Sequence, residues 1–109
     1  MQDFEHQIVL TTCGDLEQAT QIAETLVREA LAACVNIVPA VRSVYRWQNK
    51  IEVDDEVLLV IKSARGLYAA IEQRINELHS YELPEIVAVP IVTGSNKYLQ
   101  WINEQVAVQ

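Results

Sequence analysis

The chain has 109 residues, half of them hydrophobic, with 15 acidic against 8 basic residues and a net charge of −7. That length suits one domain over residues 1–109 with one core, which buries only about two-thirds of its unfolded surface and so gains from assembly with other copies. The basic residues stand singly, without the clusters that hold phosphate backbones, so nucleic acid and anionic membrane surfaces are excluded as expected partners.

The first apolar run, His6 to Cys13, is short and β-branched and ends at Gly14-Asp15, which predicts a buried strand. Asp15 then reads as an N-cap, with Gln18 three residues on to complete a capping box. Ala19, Ile22, Ala23, Leu26, Val27 and Ala30 follow at helical spacing and predict an amphipathic helix from Leu16 to Ala32. From Cys34 to Gln48 the pattern is that of a strand. One alternating set is Val35, Ile37, Val41, Tyr45 and Trp47; the other is Asn36, Val38, Arg42, Val44, Arg46 and Gln48. Pro39 cannot donate to a ladder and belongs at a bulge or an edge.

Asn49-Lys50 predicts a tight turn, because Asn tolerates the left-handed conformation. Ile51 to Lys62 is the return strand, acidic in its first half and continuously apolar from Val57 to Ile61: a wet tip and a buried base. A second helix is expected over Arg65 to His79, with Tyr68, Ile71, Ile75 and Leu78 as its apolar stripe. The loop Ser80 to Glu85 stops it, since Leu83 before Pro84 avoids the helical region. Ile86 to Val92 is a strand, with Pro90 pointing to an edge or a bulge. Gly94-Ser95 opens a last helix on which Tyr98, Leu99, Ile102 and Val106 share a face.

The order β-α-β-β-α-β-α gives an α+β fold: a ferredoxin-like split β-α-β arrangement, with a four-stranded antiparallel sheet under helices and an extra C-terminal helix. The two central strands are far longer than the usual five or six residues. At about 3.3 Å per residue they extend some 40 Å, beyond the width of so small a domain, so the distal half of the hairpin must protrude. Tyr45 and Trp47 lie on one side of that half and predict an interface with another copy.

Five segments resemble the CutA family in order and spacing: Leu31–Ile37, Tyr45–Ile51, Glu56–Lys62, Leu78–Ile86 and Tyr98–Ile102. The resemblance implies a ferredoxin-like homotrimer whose long hairpins join neighbouring sheets, with a role in tolerance of divalent metals, notably copper. Asn49 stands where that family often has a glycine in the turn.

The loop at His79 is the strongest candidate for chemistry. It offers an imidazole, the Tyr81 phenol and the carboxylates Glu82 and Glu85. Imidazole suits copper and zinc, and carboxylates complete a mixed site. The soft thiol of Cys34 is a further candidate ligand for copper. The expected metal set is therefore His79, Glu82, Glu85 and Cys34, taking Cu(II) or another divalent cation that folding does not require. The alternative is structural: His79 bonds the last carbonyls of its helix, Tyr81 and Glu85 brace the loop, and Cys34 is a small core residue. Members of the resembled family proposed to bind copper carry a histidine pair at this loop and a cysteine on the first strand. Here Leu78 precedes His79, and Thr11 holds the strand position, with Cys13 two residues on.

The acidic patch Glu52, Asp54, Asp55 and Glu56 lacks calcium-loop spacing and reads as a solvated face. No G-x-S-x-G, H-E-x-x-H or phosphate-cradling glycine loop is present, so no enzyme is expected and an acylphosphatase-like activity is disfavoured. A PII-like trimer binding a small effector between subunits is the alternative function. Neither cysteine belongs to a C-x-x-C pair, Met1 to Glu5 lacks the marks of a signal peptide, and no run approaches the ~20 apolar residues of a membrane helix. The expected compartment is the cytoplasm.

Overall fold

The computed structural model describes residues 4–107; Met1 to Asp3, part of the segment on which the absence of a leader was read, lie outside it. The elements are β1 (His6–Cys13), α1 (Leu16–Arg28), β2 (Cys34–Trp47), β3 (Lys50–Ala64), a 3₁₀ turn (Arg65–Leu67), α2 (Tyr68–Leu78), β4 (Ile86–Pro90) and α3 (Asn96–Gln105). The sheet runs β2-β3-β1-β4 with every pairing antiparallel, which is the expected split β-α-β topology.

Strand alternation divides the sheet into two faces. On one, Val9, Leu59 and Ile61 are fully buried against Ile22 and Leu26 of α1 and Ile71 and Ile75 of α2. On the other, Ile8, Leu10, Leu58, Val60, Val38, Val87 and Val89 face one another across the register without helices above them. Val38, Val87 and Val89 are exposed there. The third helix adds Ile102 to the core, Val106 just past its end joins it, and Asn103 Oδ1 accepts from His6 Nε2 at 2.9 Å. Pro90 ends β4, a true edge strand bonded only to β1.

Helix α1 stops at Arg28, four residues before the expected Ala32. The Ala30 N–H bonds the Val27 carbonyl at 3.1 Å, the Leu31 N–H bonds the Leu26 carbonyl at 2.9 Å, and Ala30 sits at φ 59. This is a Schellman ending with alanine where glycine is usual, so no stop signal showed in the residue types. At the other end the Asp15 carboxylate accepts from the Gln18 N–H at 2.8 Å, as a cap should. Gln18 does not reach back to close the box. Its amide donates to the Leu78 carbonyl at 3.4 Å and accepts from the Ser80 hydroxyl at 3.0 Å, tying α1 to the end of α2.

The hairpin corrects the two expected alternating sets. The register passes from Val38 opposite Leu58 to Val41 opposite Glu56, so three steps on β2 match two on β3. Pro39 and Ala40, the latter at φ 64, form a bulge that inserts one residue. One inserted residue exchanges the faces. Val35 and Ile37 point to the helices, whereas Val41, Tyr45 and Trp47 point to the open face. Beyond the bulge it is Val44, opposite Val53, that continues the helix side. The turn itself is Gln48-Asn49, at φ 50 and 67, one residue earlier than expected and of the primed type that matches strand twist. The hairpin accounts for the long axis of a molecule measuring 44 × 31 × 23 Å.

Candidate functional site

Helix α2 ends at Leu78, and the His79 N–H closes it on the Ile75 carbonyl at 2.8 Å. The His79 side chain does not bond the helix carbonyls. It is buried beneath the end of β1, and its Nε2 donates to the Thr12 carbonyl at 2.7 Å. Its Nδ1 accepts from the Tyr81 N–H at 3.0 Å. A carbonyl can only accept and a peptide N–H can only donate, so the ring is the neutral Nε2–H tautomer with both nitrogens engaged.

Tyr81 packs on that ring, with centroids 4.5 Å apart, and extends its hydroxyl to Glu56 Oε2 at 2.8 Å. The close passage of Tyr81 explains Gly14: a Cβ there would stand 3.3 Å from the phenol oxygen. Further out on the hairpin, the Tyr45 hydroxyl donates to Asp54 Oδ2. Each phenol thus holds one carboxylate. Hydrogen bonding to Asp54 pushes the Tyr45 phenol up to about 12. Burial raises that of Tyr81, with the Glu56 bond adding to it. Both remain neutral donors at ordinary pH.

Between this loop and the distal hairpin lies a cleft of about 650 Å³. Its walls carry the rings of Tyr45, Trp47 and Tyr81 and the carboxylates of Asp54, Glu56, Glu82 and Glu85, and no Lys or Arg is among its lining residues. Glu82 and Glu85 are exposed and carry no hydrogen bond or ion pair to the described residues. Asp55, on the other side of β3, makes an exposed pair with Arg42 at 3.4 Å.

The four residues expected to hold a metal are not gathered. Glu82 and Glu85 share the cleft; His79 lies behind it with no free nitrogen. Cys34 starts β2 opposite Lys62, four residues along β3 from the Leu58 that faces Thr12, hence about 13 Å away along the strand. Among the described residues no three His, Cys, Asp or Glu side chains are grouped to hold a metal ion, so this set does not fit a centre built by one chain. Sequence reasoning passed over Asp54 and Glu56 as a solvated face. Their spacing of two, which puts both on the side of Tyr45 and Trp47 once the bulge is counted, was the available signal.

Cys13 is fully buried on β1, and burial, with Asp15 and Glu56 nearby, pushes its thiol up to about 11. It is a core residue with little thiolate. Cys34 is half-buried, and both cysteines are free.

The profile of the family described as CutA1 divalent ion tolerance protein matches residues 7–105. The divalent-cation tolerance protein CutA of Thermus thermophilus is 46% identical over 98 residues, which are 90% of this chain and 95% of that one. The chloroplastic protein CutA of Arabidopsis thaliana is 43% identical over 96 residues, 88% of this chain; the match spans about half of that relative, 53% of its length. The crystal structure of CutA1 from the psychrotrophic bacterium Shewanella sp. SIB1 superposes with a TM-score of 0.95 at 43% identity, covering 98% of this chain and all of that one (100%). The family and the Thermus relative are named for divalent-cation tolerance, not for an enzyme activity.

Proposed function

The chain belongs to the CutA1 divalent ion tolerance family, and on that premise we propose that it acts in divalent-cation tolerance as a homotrimer joined through its long hairpin. The observation that carries the assembly is the exposure of Val44, Ile51 and Val53, at 65%, 61% and 55%. They continue the helix-covered side of the sheet past the point where the helices stop. A second copy laid against them removes that apolar surface from water. The adjoining β2 is an edge strand of 14 residues, and an edge of that length invites pairing with another chain.

Metal enters this reading at the level of the assembly. Glu82 and Glu85 supply two hard oxygen donors and His79 supplies none, so Cu(II) or another divalent cation is taken where a neighbouring copy completes the set. The role is one of binding or response, without catalysis. Two free cysteines suit a reducing compartment, and we place the protein in the cytoplasm. The PII-like alternative is not favoured: a nucleotide effector calls for a glycine-rich or basic phosphate loop, and three glycines in all give none.

Sedimentation velocity tests the assembly. The expected species has three times the 12.3 kDa mass of the chain, and Val53→Asp moves it toward the monomer. A monomeric parent protein overturns the reading. Calorimetry with Cu(II) tests the metal: weak heat is expected that Glu82→Gln/Glu85→Gln removes, and heat unchanged in that variant rejects the carboxylates.

A further inference from the structure

The cleft between the loop and the hairpin carries more than the two carboxylates that the tolerance reading uses. A hydrated metal ion needs oxygen donors and gains nothing from three aromatic rings. An anion is repelled by the four carboxylates. A neutral apolar molecule would strip water from those carboxylates without replacing it. One class of ligand satisfies both kinds of wall, a cation with a hydrocarbon body, which pairs with carboxylates and lies against ring faces. We propose that this cleft binds an alkylammonium cation, with its charged nitrogens at Glu82 and Glu85 and its stem against Tyr45, Trp47 and Tyr81.

Four features of the site support the assignment. Its volume, about 650 Å³, lies in the range of small-molecule sites. Asp54 and Glu56 are each occupied by a phenol hydroxyl, so they fix the two tyrosine rings in place. Glu82 and Glu85 are left without a protein partner among the described residues, and they are the charges a ligand can answer. Two such carboxylates on one loop suit a ligand with two ammonium groups. The His79 bonds to Thr12 and to the Tyr81 N–H anchor that loop on β1, so the wall is set before a ligand arrives.

The proposal goes beyond the tolerance reading and needs no bound metal, so its test uses metal-stripped protein. The chain has two tryptophans, and Trp101→Phe leaves Trp47 as the single indole reporter. Hexane-1,6-diamine is the probe, with Mg²⁺ at equal charge and hexane-1,6-diol as comparisons. The expected result is a saturable change in Trp47 emission with the diamine, at least tenfold weaker with either comparison ligand. Glu82→Gln/Glu85→Gln is expected to weaken diamine binding at least tenfold. A diamine response no stronger than that of Mg²⁺ means charge attraction only and overturns the proposal, as does affinity unchanged in the double variant. If circular dichroism shows that the double variant is unfolded, calorimetry on Trp47→Leu decides: loss of diamine heat is expected, and full retention rejects the site. Sedimentation of the same samples reads the assembly separately, so failure of the trimer leaves this result interpretable.

Discussion

His79 and Thr12 are joined by a buried hydrogen bond, imidazole Nε2 to peptide carbonyl at 2.7 Å, and the histidine is thereby a structural post. Its other nitrogen holds the Tyr81 N–H. His79→Ala removes both bonds and leaves a carbonyl and an N–H unpaired in a largely buried place. Each unpaired buried group costs about 1–3 kcal/mol, and water reaches the part-buried Tyr81 N–H, so the variant is expected to lose about 2–4 kcal/mol of stability. Urea denaturation checks this, and a loss under 0.5 kcal/mol would show that the post carries little.

The Cys13 thiol should be nearly inert in the folded protein. It is fully buried and its ionisation is pushed up to about 11 from 9.0, first by burial and then by Asp15 and Glu56. The thiolate is the reactive form. A disulfide reagent at pH 8 is expected to modify one thiol per chain, that of Cys34, and the second only after unfolding. The sign for stability follows from the raised value. The contribution is present in full below pH 9, where both states keep the proton, and is lost as pH rises toward 11. Rapid modification of both thiols in native protein would contradict this.

The elements were legible because their signals are local. Alternation marked the strands, spacing of three and four marked the helices, and Asp15 marked a helix start. The site was less legible because it depends on one residue that changes no pattern by itself. Pro39 announced a bulge, but only pairing shows that Pro39 and Ala40 together count as one extra position. That count turns Tyr45 and Trp47 toward Asp54 and Glu56 and leaves Val44 with Val53. The His79 loop was found as a place, but its role was not: which groups face an imidazole is fixed by β1, which lies 67 residues earlier in the chain.

Thr11 offers a test of the core. Its hydroxyl is fully buried and has no hydrogen-bond partner among the described residues. The residue stands between Leu59 and Ile86 on the helix-covered face. Valine has nearly the same shape and no hydroxyl to desolvate. A buried unpaired hydroxyl costs about 1–3 kcal/mol, so Thr11→Val is expected to raise stability by about 1 kcal/mol. The urea midpoint measures it, and a lowered midpoint would mean that the hydroxyl has a partner in solution.

Ala30 is the residue most open to improvement. It holds the left-handed position after α1 at φ 59, where a Cβ crowds the neighbouring carbonyl. The strain is about 1–2 kcal/mol for an L-residue and is absent for glycine. Glycine in turn lets the unfolded chain roam more widely, at a cost of about 0.4–1 kcal/mol. The first effect is the larger, so Ala30→Gly is expected to stabilise by about 0.5–1 kcal/mol while keeping the two bonds that end the helix. The same change at Ala23, buried in the middle of α1, has no strain to relieve and opens a gap, so it should destabilise by 1 kcal/mol or more, about the cost of glycine in a helix interior. Thermal unfolding of the two variants side by side separates the explanations. Opposite shifts support the strain at Ala30, and a fall in both would assign the helix end to packing of Leu31 alone.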